Sequence, residues 1–229
     1  MEKQELNRLL SLMFQAHPWH GVSAGILAPQ MLNTYIEIVP RDVVKYELDK
    51  PSGHLRLDRP HKFSSVSPTL YGFVPQTYCG ERVAEICMQR TDRTNIVGDG
   101  DPLDICVLTE KTIMAANFFC NARPIGGLRL LDHGEADDKI IAVLENDLAF
   151  GEINDIGELQ KGMIDRIIHY FLSYKQLPND TPRALEVAAV YSRDEALEVI
   201  DASFADYREK FGNPETRVSE LQNLLRAAA

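Results

Sequence analysis

From residue 34 the chain alternates apolar and polar side chains with the two-residue period of half-buried strands. Thr34, Tyr35, Ile36, Glu37, Ile38 and Val39 form one such segment, and Val44, Lys45, Tyr46, Glu47, Leu48 and Asp49 a second. Lys50-Pro51-Ser52-Gly53 reads as a turn into residues 54–59, so a hairpin is predicted with Lys45 and Glu47 on one face. A denser apolar run over 103–108 predicts a buried strand that carries Asp104. Two more apolar segments, 124–131 and 140–144, enclose the acidic stretch 132–139, which reads as strand, turn, strand.

Further along, the period lengthens to that of helices. Met163, Ile167, Phe171 and Tyr174 share a helical face that ends at Tyr174-Lys175. Ser192-Arg193-Asp194-Glu195 has the spacing of a capping box ahead of Leu197, Ile200, Phe204, Tyr207 and Phe211, and Gly212 and Pro214 supply the stop. A weaker helix is predicted through Val218, Leu221, Leu224 and Leu225, giving C-terminal helices over about 192–228. Leu6, Leu9, Leu10, Met13 and Phe14 predict an N-terminal helix over about 2–16. With no internal repeat or low-complexity linker, the chain is read as a single domain, 1–229, whose core spans about 33–178.

The densest chemistry lies in Asp99-Gly100-Asp101-Pro102-Leu103-Asp104-Ile105. Carboxylates this close repel one another, and an aspartate in an apolar strand is costly unless paired, so hard cations are the simplest reason for the arrangement. Pro102 biases Asp101 towards an extended conformation, which predicts that Asp99 and Asp101 point the same way. Glu110 falls at the twelfth position from Asp99, as in an EF-hand loop, but Asp104 stands where that loop needs glycine. The second acidic cluster, with Asp132 and Asp137, becomes a candidate to complete a multi-metal site. Two histidines around Pro18-Trp19 have no further ligand nearby, so no metal site is expected at His17 and His20.

Composition narrows the alternatives. The 229 residues can bury one large core, and a net charge of −10 argues against a nucleic-acid binder. No apolar run is long enough to span a bilayer, Met1 to Glu5 lack the apolar core of a secretory signal, and the cytoplasm is the expected location. Cys79, Cys87, Cys106 and Cys120 show no spacing that indicates zinc or a disulfide framework.

The aspartate segment resembles the signature of the family I soluble inorganic pyrophosphatases. The order of Glu37, Lys45-Tyr46-Glu47, Asp58-Arg59, Tyr71-Gly72, Arg123-Pro124-Ile125-Gly126, Asp132, Asp137, Lys139 and Tyr174-Lys175 matches it too. The resemblance covers roughly residues 33–178. It implies an α+β, mainly β fold: a small closed five-stranded β-barrel, OB-like, with flanking α-helices. It also implies hydrolysis of pyrophosphate to two phosphates by several Mg2+ ions with a metal-bridged hydroxide as nucleophile, in a homo-oligomer. By resemblance Asp99, Asp104 and Asp137 hold the first ion, Asp104 helps with a second, Asp132 and Asp137 bind ions that arrive with substrate, and Glu37 acts through water. Asp101 is the proton acceptor; Lys45, Arg59, Tyr71, Lys139, Tyr174 and Lys175 grip phosphate; Glu47 supports Lys45. Two departures stand out: Ser67 replaces a tyrosine common in bacterial members, and residues 76–98 form an extra stretch. The alternatives are an OB-type binding module without hydrolase activity and a Mg2+-dependent hydrolase of another phosphoanhydride.

Overall fold

A computed structural model describes residues 15–175, 177 and 185–227. The predicted strands appear as β1 (Leu32–Ile38), β2 (Val44–Leu48), β3 (Leu55–Pro60) and β4 (Leu70–Phe73). After a helix, α1 (Glu81–Thr91), come β5 (Val97–Gly98), β6 (Asp104–Leu108), β7 (Phe118–Asp132), β8 (Glu135–Ala136) and β9 (Lys139–Leu144). The chain closes with α2 (Lys161–Ser173), β10 (Leu185–Ser192), α3 (Arg193–Phe211) and α4 (Arg217–Ala227).

Five strands form a ring in the order β1, β4, β6, β9, β7, closed by pairing of β7 with β1. The expected mainly β, OB-like fold with flanking helices is the one observed. Inside the ring, Leu32, Ile36, Leu70, Ile105, Val107, Ala122, Ile140 and Ala142 are buried in one cluster with residues of α1 and α3. A second cluster, including Leu128, Leu130 and Ile141, packs against Ile167 and Phe171 of α2. The helical stripe of α2 is therefore what attaches that helix to the outer face of the sheet. The ring is tight where β1 meets β4: a Cβ on Gly72 would lie 1.8 Å from the carbonyl oxygen of Tyr35, so only glycine fits. The β2–β3 hairpin forms a separate ribbon in which Lys45 faces Arg59.

Several readings need correction. The capping box does not form, because Ser192 ends β10 and makes no side-chain cap bond, while Asp155 accepts from the Arg193 backbone N–H at 2.8 Å. Glu195 turns instead to Arg129, at 2.7 Å. Asp104 opens its strand rather than lying within it. Asp99 and Asp101 are not alternate residues of a strand; Gly100 has φ +75° and the Asp101 N–H donates to Asp99 Oδ1 at 2.9 Å, a tight turn that aims both carboxylates alike by another route. In α4, Leu221 and Leu225 are 36% and 52% exposed, so these two do not form a buried stripe. The predicted N-terminal helix lies outside the described residues, except for its last positions, which are not helical.

Two elements escaped the sequence pattern. The extra stretch holds α1, whose first turn is fastened by Asp206 of α3: that buried carboxylate accepts from the backbone N–H groups of Gly80 and Val83 at 3.0 and 3.2 Å. Strand β10, Leu-Glu-Val-Ala-Ala-Val-Tyr-Ser, has no clear alternation because its pairing with β7 shifts register between Val187 and Ala189. No described helix is long and apolar enough to cross a membrane. The four cysteines are free.

Candidate active site

The ring's strand order brings the distant acidic segments together. Parallel pairing of β6 with β9 sets Asp104 beside Lys139, and antiparallel pairing of β4 with β6 places Tyr71 two pairs away, opposite Cys106 and on the same face. The turn at His133 and Gly134, both with positive φ, folds β8 back along β7 and presents Asp132, Glu135 and Asp137 on the same side. Helix α2 delivers Tyr170, Phe171 and Tyr174, and Lys175 follows it.

These groups line one cleft of about 190 Å3. Asp99, Asp101, Asp104, Asp132, Asp137, Lys45, Tyr71, Lys139, Tyr174 and Lys175, all singled out in the sequence, lie on its wall. Glu37 and Glu47 line a smaller adjoining cleft that shares Lys45, Tyr71, Asp101 and Asp104 with it. Glu47 accepts from Lys45 at 3.3 Å, as its place on the same strand face requires. Arg59 lies outside the lining of both clefts and is engaged by the neighbouring Asp58 at 2.5 Å. Ser67 is buried and donates to the Thr69 carbonyl at 2.8 Å, so its hydroxyl is committed to its own loop.

Within the cleft six carboxylates, counting Glu135, face three lysines. Lys139 Nζ bridges Asp104 and Asp137, Lys175 pairs with Asp132, and Lys50 reaches Asp101 from the hairpin turn. Tyr71 donates to Asp104 Oδ2 at 2.5 Å. Burial disfavours the Lys139 ammonium, but Asp104, Asp137 and Asp99 outweigh it and hold the group well above lysine's ordinary range. Asp99 is pushed up to about 8 by burial and by the charge of Asp137, and Asp137 is itself raised by burial. Glu37 rises to about 8 because it is buried and faces Asp104, although the Leu48 N–H donates to it at 2.6 Å. Asp132 Oδ1 is buried without a hydrogen-bond partner.

Negative charge thus exceeds what the protein's own cations neutralise, and a donor set dominated by carboxylate oxygens is the one hard divalent ions prefer. In donor chemistry the residues fit such ions. Among the described residues no three metal-ligating side chains stand together closely enough to hold an ion as placed, and Lys139 lies between two of the carboxylates.

Sequence reasoning missed Lys50, His61, Glu135 and Tyr170. Strand alternation from Arg59 would have located His61 on the far side of one residue, and Tyr170 stands one helical turn before Tyr174. Lys50 carried no local signal, since its partner is distant in sequence.

A family profile described as inorganic pyrophosphatase matches residues 34–208. The chain is 49% identical over 213 residues to the inorganic pyrophosphatase of Chlamydia caviae, covering 91% of this chain and 97% of that one. It is 34% identical over 207 residues to soluble inorganic pyrophosphatase 1 of Arabidopsis thaliana, covering 90% and 89%. Among solved structures, the inorganic pyrophosphatase of Thermus thermophilus superimposes with a TM-score of 0.70 at 29% identity, over 83% of this chain and 99% of that one.

Proposed function

The chain belongs to the family of inorganic pyrophosphatases, which are phosphoanhydride hydrolases, and on that premise we propose that its acidic cleft splits inorganic pyrophosphate into two phosphates with the help of magnesium. The observation that carries this reading is the excess of carboxylates over lysines in a cleft that also presents tyrosines and lysines suited to phosphate. Asp99, Asp104 and Asp137 would hold the resident ions, and Asp132, with its free buried oxygen, would hold others with Asp137. When bound, such ions screen the polyanionic substrate and lower the pKa of water towards neutrality.

The chain's own groups then have separable tasks. Asp101 takes the proton of the attacking water, from a turn that Lys50 and the Asp99 carboxylate hold in place. Lys45, Lys139 and Lys175 bind phosphate oxygens, and the hydroxyls of Tyr71 and Tyr174 orient them. Glu37 acts from the adjoining cleft through intervening water, and Glu47 keeps Lys45 aligned. Arg59 contributes from the hairpin only after leaving Asp58. The protein works in the cytoplasm as a homo-oligomer.

Phosphate release from pyrophosphate tests the reading directly. Release should require Mg2+ and cease on chelation; no release from pyrophosphate, or faster cleavage of another phosphoanhydride, overturns it.

A further inference from the structure

Behind the acidic hairpin lies a buried charge cluster with no part in the tasks described above. The side chains of Arg129 and Asp138 are each 1% exposed and approach to 3.5 Å. Arg129 also donates to Glu195 Oε1, in the first turn of α3, at 2.7 Å. Its guanidinium lies 4.8 Å over the ring of Tyr191 in β10, and the Tyr191 hydroxyl donates to Asp138 Oδ2 at 3.4 Å. That ring can lie across β7 because Gly127 is bare: a Cβ there would come within 2.3 Å of it. Even so, Arg129 Nε and Asp138 Oδ1 are buried without a hydrogen-bond partner.

As a source of stability this cluster is poor. Long contacts and two unpartnered atoms do not offset the desolvation of both charges, and an apolar pair of similar volume generally serves as well or better. Its position in the chain suggests a different use. Asp138 stands between Asp137 and Lys139, and alternation sends those two side chains into the cleft while Asp138 points into the layer beneath α3.

We propose that Arg129 and Asp138 are positioning residues: their pair, anchored by Glu195 and Tyr191, ties the 137–139 backbone to β7, β10 and α3, so that Asp137 and Lys139 meet magnesium and phosphate in register. The proposal rests on the reading of the cleft given above. Geometry of the ligand backbone is set from the far side of the strand, where a change of partner shifts a carboxylate without touching the ion.

The test compares Arg129→Met, the double variant Arg129→Met with Asp138→Val, Arg129→Lys and Glu195→Gln. Arg129→Met strands a buried carboxylate and should lower Tm sharply, and the double variant should regain most of that loss. Amide hydrogen exchange at residues 132–139 should nevertheless remain faster in the double variant than in the parent. Its Mg2+ affinity by calorimetry should fall about tenfold or more. Arg129→Lys, which keeps the charge, should recover part of the affinity, and Glu195→Gln should weaken it with little change in Tm. A double variant that matches the parent in exchange and in Mg2+ affinity once Tm is restored overturns the proposal. If the double variant does not fold, Glu195→Gln decides: unchanged exchange and affinity there overturn it as well. A parent protein that binds no Mg2+ would instead defeat the reading of the cleft, and the exchange comparison would still decide the positioning role.

Discussion

Asp101 differs from its acidic neighbours in what it touches. Asp104 is held between Tyr71 and Lys139, and Asp99 is largely buried, whereas Asp101 is 39% exposed at the side chain and paired with Lys50. A proton acceptor needs that access to water, and a ligand needs the enclosure of the other two. Asp101→Asn should therefore leave Mg2+ affinity close to the parent value and lower turnover about 10²-fold or more, without rescue by added magnesium. Asp99→Asn and Asp104→Asn should weaken Mg2+ binding, and excess magnesium should restore part of the rate. Titration of activity against Mg2+ for the three variants separates the roles; rescue of Asp101→Asn by magnesium alone would make Asp101 a ligand. At this scale the sequence was informative, because carboxylates crowded within a few residues need a physical reason wherever they stand. It was less informative for Lys50, which acquires meaning only from Asp101, a partner brought close by folding.

Among the elements, the segment ahead of β1 shows how a suggestive motif resolves into packing. His17 and Trp19 are fixed by backbone contacts, with Trp19 Nε1 donating to the Thr77 carbonyl at 2.7 Å, and His20 Nδ1 lies 2.7 Å from the Tyr207 hydroxyl. Arg217 of α4 donates to the same hydroxyl at 2.8 Å and to the His20 carbonyl at 2.7 Å, so His20 joins the segment to α3 and α4. Burial, with His17 and Arg217 adding, lowers the His20 pKa from 6.5 to about 4. A base whose pKa is depressed by folding contributes stability that is present above its unfolded value and is lost as pH falls through the folded one. The protein should consequently lose Tm between about pH 6.5 and 4 in part through His20. His20→Gln, which retains a polar group towards Tyr207, should show a shallower decline; identical declines in the two proteins by thermal melting would remove His20 as a cause. The strands of the hairpin and the helices α2 and α3 were legible as periodicities. Helix α1 and strand β10 were not, because α1 is fastened by Asp206 from another helix and the register of β10 against β7 slips between Val187 and Ala189, which breaks its alternation.

Across the whole molecule, the acidic cleft sets the relation between ligand and fold. Its carboxylates come from β6, β7, β8 and the loops around them, and they converge only when the ring is closed. Magnesium should bind the folded chain in strong preference to the unfolded one, and binding of that kind raises stability by about 2.7 kcal/mol at a hundred times the Kd. Tm should rise with Mg2+ and return on chelation, as read by calorimetry, and Asp99→Asn should reduce the rise. A Tm indifferent to Mg2+ would count against the carboxylate set as an ion site. The sequence by itself determined the strand and helix periodicities, the identity of the acidic residues and their likeness to a family, since side-chain chemistry and local spacing are properties of the chain. Only the tertiary structure decided which lysine meets which aspartate, that Ser67 turns inward, that Glu195 leaves its cap for Arg129, and that the stretch 76–98 carries a helix fastened to α3. Each of these depends on a partner far away in sequence, and strand register and ring closure, rather than local preference, bring such partners within reach.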